Sequence, residues 1–269
     1  MVMSLVLGGV VGIIMGLTGA GGGILAVPLL VFALHMSVAQ AGPIGLLAVG
    51  ISATLGALVG LKNHIVRYRA AMLIAGTGIL LAPLGVWMAQ RLNTSVLGVL
   101  FAAVLAWVAY KTLKEATALD TASNQIYRAP PCLRDEQRGR FVWTSKCAQV
   151  LTISGAIAGF LSGLLGVGGG FVMVPALQRY TDLATRSVVA TSLAVIALVS
   201  LAGVGSSIAT GQLELAVAMP FAAGGAMGMG AGTMLSGRLS QKTLKLSFAV
   251  ICALVSIGMV VKSMGAMPG

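Results

Sequence analysis

Two stretches hold the residues best able to do chemistry. Residues 16–30 read GLTGAGGGILAVPLL and residues 163–177 read GLLGVGGGFVMVPAL. Three successive glycines occupy no single helix face, and each costs about 1 kcal/mol relative to alanine inside a helix. Gly21, Gly22 and Gly23, and likewise Gly168, Gly169 and Gly170, are therefore expected to unwind the chain. The helix that restarts beyond each break offers free N–H groups and the positive end of its dipole. That is an anion site made of backbone alone. Gly19 and Gly166 open the two breaks, and Pro28 and Pro175 add helix-breaking punctuation beyond them.

Few side chains can supplement that backbone. Thr18 stands beside the first break, and Thr191 and Ser192 lie early in a later apolar segment, although hydroxyls inside helices often bond their own backbone. Asp182, Glu214, His35 and His64 fall at helix ends or in loops, so an anion is expected to be held by N–H and hydroxyl groups rather than by a salt bridge. Arg91 and Arg238 are placed to anchor helix ends at the interface, or more sharply to draw anions to an entrance. Gly12 and Gly16, with Gly159 and Gly163, have the four-residue spacing that close helix packing needs. A dinucleotide site is excluded, because position 24 is Ile24 where the fingerprint needs glycine, and no soluble βαβ unit follows. No metal-ligand cluster, cofactor motif or catalytic constellation falls in the apolar segments, so no enzyme is expected. Cys252 sits in an apolar helix. Cys132 and Cys147 flank a polar stretch and are read as too few and too scattered for a disulfide framework or a zinc site.

The elements that must position these residues are membrane helices. The chain is 58% hydrophobic and 9% charged, with mean hydropathy +1.00. Apolar runs of about 20 residues, enough to cross a core of about 30 Å, recur along it. The short alternating segments of a membrane β-barrel are absent. The net charge of +11 sits in loops, where it sets orientation rather than binding nucleic acid. The opening MVMSLVLGGVVG carries no Lys or Arg and no small-residue cleavage site, and is read as retained structure.

Sliding the sequence by 147 residues aligns its halves without a gap. Gly12, Gly16, Leu17, Gly19, Gly21, Gly22, Gly23, Val27, Pro28 and Leu30 fall on Gly159, Gly163, Leu164, Gly166, Gly168, Gly169, Gly170, Val174, Pro175 and Leu177. Gly85, Arg91, Leu92 and Phe101 fall on Gly232, Arg238, Leu239 and Phe248. Such punctuation at one offset marks an internal repeat. Residues 1–113 form the first repeat, 114–146 a polar linker and 147–269 the second. Each repeat has a broken segment (2–34 and 148–180) followed by three helices, near 37–61, 70–90 and 95–113, and near 185–209, 215–236 and 243–264.

If each broken segment crosses once, the halves are parallel and the seventeen Lys and Arg divide eleven to six. If each enters and returns, the halves are inverted and the division is fifteen to two, with only Arg91 and Lys262 in the minority. The second division is the positive-inside pattern. The fold expected is an all-α integral membrane protein of two inverted-topology repeats, with linker cytoplasmic and both termini extracytoplasmic. Such repeats with broken helices recur in secondary transporters.

These stretches, with ATSL at 190–193 and the pairs GVWMAQRL and GTMLSGRL, resemble the sulfite exporter TauE/SafE family over nearly the whole chain except the linker. The resemblance implies a mostly bacterial permease of the cytoplasmic (inner) membrane for sulfur-containing anions: sulfite, thiosulfate, or organosulfonates such as sulfoacetate. One departure is that the Thr-Ser expected in each half is present as Thr191-Ser192 but replaced by Ile44-Gly45 in the first, which suggests an asymmetric site. The function expected is a secondary transporter working by alternating access, with a passive anion channel on the same scaffold as the alternative. Its partners are a small anion and the bilayer. A homo-oligomer and a coupling proton are left open, since the sequence shows no place for either.

Overall fold

The protein's structure, a computed structural model, describes residues 2–19, 21–118, 132, 144–211, 213–236 and 240–265. The described chain is helical: α1 (Val2–Thr18), a 3₁₀ turn (Gly22–Leu25), α2 (Ala26–Ala33), α3 (Val38–Lys62), α4 (Tyr68–Arg91), α5 (Thr94–Ala118), α6 (Ser145–Leu165), α7 (Gly170–Tyr180), α8 (Thr185–Ala209), α9 (Leu215–Ser236) and α10 (Gln241–Gly265). Among the described residues, seven helices are long and apolar enough to cross a membrane. Shifted by 147 residues, the bounds of α3 become those of α8, and the bounds of α5 become those of α10. The expected polar linker begins later than 114, because α5 continues to Ala118. Most of it lies outside the described residues.

Small residues decide which helices meet. Lipid gives apolar helices no hydrophobic reason to associate, so close backbone approach supplies the packing. Gly8, Gly12 and Gly16 of α1 lie against Phe221, Gly225 and Gly232 of α9, where a Cβ at any of the three would strike α9 backbone. Gly155, Gly159 and Gly163 of α6 meet Ile74, Gly78 and Ala82 of α4 in the same manner. The packing role expected for Gly12, Gly16, Gly159 and Gly163 is the one they have. Residue numbers rise together along both pairs, so α1 runs parallel to α9 and α4 parallel to α6.

The other two pairs run oppositely. Along α3 and α8, Leu46 meets Gly203, Gly50 meets Ser200, Gly56 meets Leu193 and Gly60 meets Ala190. Along α5 and α10, Ser263 Oγ donates to the Ser95 carbonyl (2.8 Å), Ser256 Oγ donates to that of Ala102 (2.9 Å), and Lys245 pairs with Glu115 (3.2 Å). Gly56 and Gly225 place Met229 beside α3 and Ser52 beside α9, so α1, α3 and α9 share one direction. The segment 22–33 between α1 and α3 therefore runs back against them over roughly 20 Å. Its far end is tied down where Lys262 Nζ donates to the Val31 carbonyl at 2.6 Å, a cation at a helix C-terminus.

Loop chemistry completes the frame. Ser37 and Gln40 form a capping box at the start of α3. The turn after α3 places His64 at φ 55°, and at the matching position after α8 stands Gly211 at φ 68°.

Candidate functional site

Both glycine runs are reversals of the chain. In the first, Gly19 takes φ 78° and Gly22 folds back onto α1, where a Cβ would lie 2.6 Å from the Met15 N and Cα. In the second, Gly166 ends α6 in a left-handed cap (φ 72°), its N–H donating to the Ser162 carbonyl at 2.9 Å. Gly168 and Gly169 follow at φ 78° and 68°, a conformation that L side chains rarely adopt. Gly169 backs onto Ala158 of the preceding helix.

The restarted helices have open first turns. No side chain caps Gly21 or Gly169. The Val172 and Met173 N–H groups both turn to the Gly169 carbonyl (3.1 and 3.2 Å). Those of Gly170 and Phe171 open the first turn of α7. Pro28 and Pro175 sit inside the restarted helices α2 and α7; the glycines alone make the breaks.

The two breaks converge halfway along the long helices. A Cβ on Gly23 would lie 3.0 Å from Val49 Cγ2 and 3.3 Å from the Val167 carbonyl oxygen of the opposite break. One on Gly168 would lie 2.7 Å from Val49 Cγ1, 2.9 Å from Ile196 Cγ2 and 3.5 Å from Ser200 Oγ. Val49 and Ser200 lie near the middles of α3 and α8. Gly22, Gly23 and the run from Ser162 to Gly170 are buried. The centre is thus a backbone-rich junction closed by apolar side chains.

The hydroxyls expected there are engaged elsewhere. Thr18 Oγ1 donates to the Ile14 carbonyl (2.7 Å) and Ser192 Oγ to that of Val189 (2.8 Å), each within its own helix. Thr191 Oγ1 accepts the Arg67 N–H at 3.1 Å, holding the start of α4. Two other hydroxyls, Ser162 Oγ and Ser200 Oγ, are buried with no partner. Their counterparts are Met15 and Ala53. A hydroxyl facing an apolar residue at the repeat offset is the signal that would have picked them out. Gly45, which stands where Ser192 stands in the other half, is required to be small: a Cβ there would lie 2.8 Å from the Gly166 carbonyl oxygen.

Charge is distributed by end. Lys62, Arg67, Arg69, Lys111, Lys114, Lys146, Arg179, Arg186, Lys242 and Lys245 lie at the end where α3, α5 and α7 finish, and among the described residues Arg91 and Lys262 lie at the other. Arg91 stacks over Trp87, 4.8 Å from the ring centroid, a contact suited to interfacial anchoring. Arg238 lies outside the described residues. At the basic end Arg67 Nε is buried without a partner. At the opposite end a small cleft lined by Gly42, Pro43, Ala89, Gln90, Gly163 and Ser207 approaches the second break, since Gly42 packs on Gly166.

One expectation is overturned. Cys132 and Cys147 form a disulfide with their Cα atoms 5.1 Å apart. The linker returns to the end of α7, where the Cys132 N–H donates to the Tyr180 carbonyl (3.1 Å) and its own carbonyl accepts from Asp182 (3.3 Å). The end of α7 lies beside the start of α6, which carries Cys147. This approach is tertiary, so spacing along the sequence does not disclose it.

A family model described as sulfite exporter TauE/SafE matches residues 4–259. A probable membrane transporter protein of Xylella fastidiosa is 30% identical over 261 residues, covering 95% of this chain and 93% of the relative. The probable membrane transporter protein YunE of Bacillus subtilis is 26% identical over 269 residues, covering 94% and 95%. No solved structure matches. With seven apolar helices and a family match spanning both glycine breaks, this multi-pass membrane protein belongs to the sulfite exporter TauE/SafE family.

Proposed function

We propose that the protein is a secondary transporter of a small sulfur-containing anion, such as sulfite, thiosulfate or sulfoacetate, in the cytoplasmic membrane. The observation that carries this reading is the convergence of two open helix starts at mid-depth, Gly23 beside Val167 and Gly168 beside Val49 and Ser200. Helix starts with unpaired N–H groups attract anions, and transporters of this design bind substrate at the repeat interface near the midplane. The family and its relatives support the transporter role.

The halves are read as inverted-topology repeats. A two-fold axis lying across the helices makes counterpart helices run oppositely, as α3 does against α8 and α5 against α10. The basic end is assigned to the cytoplasm by the positive-inside rule, which puts both termini outside. Rocking of one repeat against the other about the glycine breaks would then expose the centre to each side in turn.

Proteoliposomes loaded with the purified chain test the reading. Uptake of sulfite, thiosulfate or sulfoacetate should saturate and should accelerate when the same anion is present inside. Unitary currents in a planar bilayer would make the protein a channel instead. No flux of any of these anions, nor of taurine or sulfate, would overturn the assignment.

A further inference from the structure

Ser200 stands out at the centre of the molecule. It is 1% exposed, and its Oγ has no partner. A serine in a helix ordinarily donates to the carbonyl three or four residues back. On the same helix Ser192 does so to Val189 and Ser207 to Gly203. Ser200 Oγ instead lies between α3 and the second glycine break, 3.6 Å from where a Cβ on Gly50 would sit and 3.5 Å from where one on Gly168 would. A buried hydroxyl left unpaired costs about 1–3 kcal/mol, a penalty that an arriving acceptor removes.

We propose that the Ser200 hydroxyl is a substrate-binding donor for an oxyanion at the second break, where α7 begins. The proposal rests on the anion-transport reading above and sharpens it. A hydroxyl donor at a helix start suits an anion presenting oxygens on sulfur, the chemistry shared by sulfite and the sulfonates. The corresponding position in the first repeat is Ala53, so the side-chain donor comes from the second repeat and the first contributes backbone. The site is asymmetric although the fold repeats.

The test measures affinity and stability on the purified full chain, with sodium sulfite, thiosulfate and sulfoacetate as probes. Ser200→Ala should weaken anion binding by about tenfold or more, the loss expected for one hydrogen bond to a charged group. Its anion-free Tm should match or exceed that of the wild type, because an unsatisfied hydroxyl has been removed. Ser256→Ala is the contrast: its Oγ donates to the Ala102 carbonyl, so Tm should fall with affinity unchanged. Wild-type affinity in Ser200→Ala, with the wild type binding anion, would overturn the Ser200 assignment alone. Failure of the wild type to bind any of the three would overturn the anion reading and this assignment with it.

Discussion

Val49 and Ile196, counterparts at the 147-residue offset, both press on Gly168: the Cγ1 of one and the Cγ2 of the other lie 2.7 and 2.9 Å from where its Cβ would be. Val49 also covers Gly23 of the other break. One pair of apolar side chains therefore closes both candidate anion cradles at mid-depth.

That closure has a measurable consequence. Val49→Ala removes methyl groups worth about 1–2 kcal/mol of packing and should lower Tm modestly. If anions pass between the two breaks as proposed, it should also raise anion flux in proteoliposomes, because Val49 packs on Gly23 and Gly168. Flux that falls in step with stability would mean that Val49 is only a packing residue.

The glycines differ in what they tolerate. Gly21 has φ −76°, and a Cβ there would meet only the Phe248 ring at 3.8 Å. Gly21→Ala should leave a monodisperse protein in detergent. Gly22→Ala would bring its Cβ within 2.6 Å of Met15 backbone, and Gly169→Ala combines φ 68° with a carbonyl at 2.6 Å. Both should lose folded protein on size-exclusion chromatography. Larger substitutions at Gly22 or Gly169 thus report on the fold before they report on anions.

Arg67 combines a buried, unpartnered Nε with a backbone N–H held by Thr191. A cation at the basic end favours anion arrival from that side. Arg67→Gln should raise KM for uptake from that face several-fold, and the difference should shrink at high salt, where screening is stronger. An unchanged KM at low salt would remove Arg67 from the access route.

The disulfide offers a test of orientation. Cys132 and Cys147 sit at the basic end, which the charge rule assigns to the reducing cytoplasm. In growing cells, denatured under acid to trap thiols, both should be labelled by a maleimide–polyethylene glycol reagent and should pair only after oxidation on purification. A disulfide that persists inside cells would place that end outside the membrane and reverse the assigned topology.

The helix plan was legible because glycine runs, prolines and Arg-Leu pairs recur at one offset, the offset that also carries the bounds of α3 onto α8 and of α5 onto α10. The choice of hydroxyl was not. Helices such as α8 are apolar all round, so no amphipathic stripe says which face looks inward; Thr191, Ser192 and Ser200 look alike in sequence, yet only the last is left unpaired at the break. The pairing of Cys132 with Cys147 was hidden for a related reason, since it depends on where α7 ends relative to α6.

The parallel pairings of α1 with α9 and of α4 with α6 have a bearing on biogenesis. α1 completes its packing only on α9, and α4 only on α6, so the N-terminal part of the chain cannot be completed before the C-terminal part is made. From the end of α1 at Thr18 to the start of α9 at Leu215, synthesis at 5–20 residues per second takes roughly 10–40 s. For that interval the glycine-lined face of α1 has no mate in the bilayer. A helix made before α9 by most of the chain's length waits that long for its packing face to be covered.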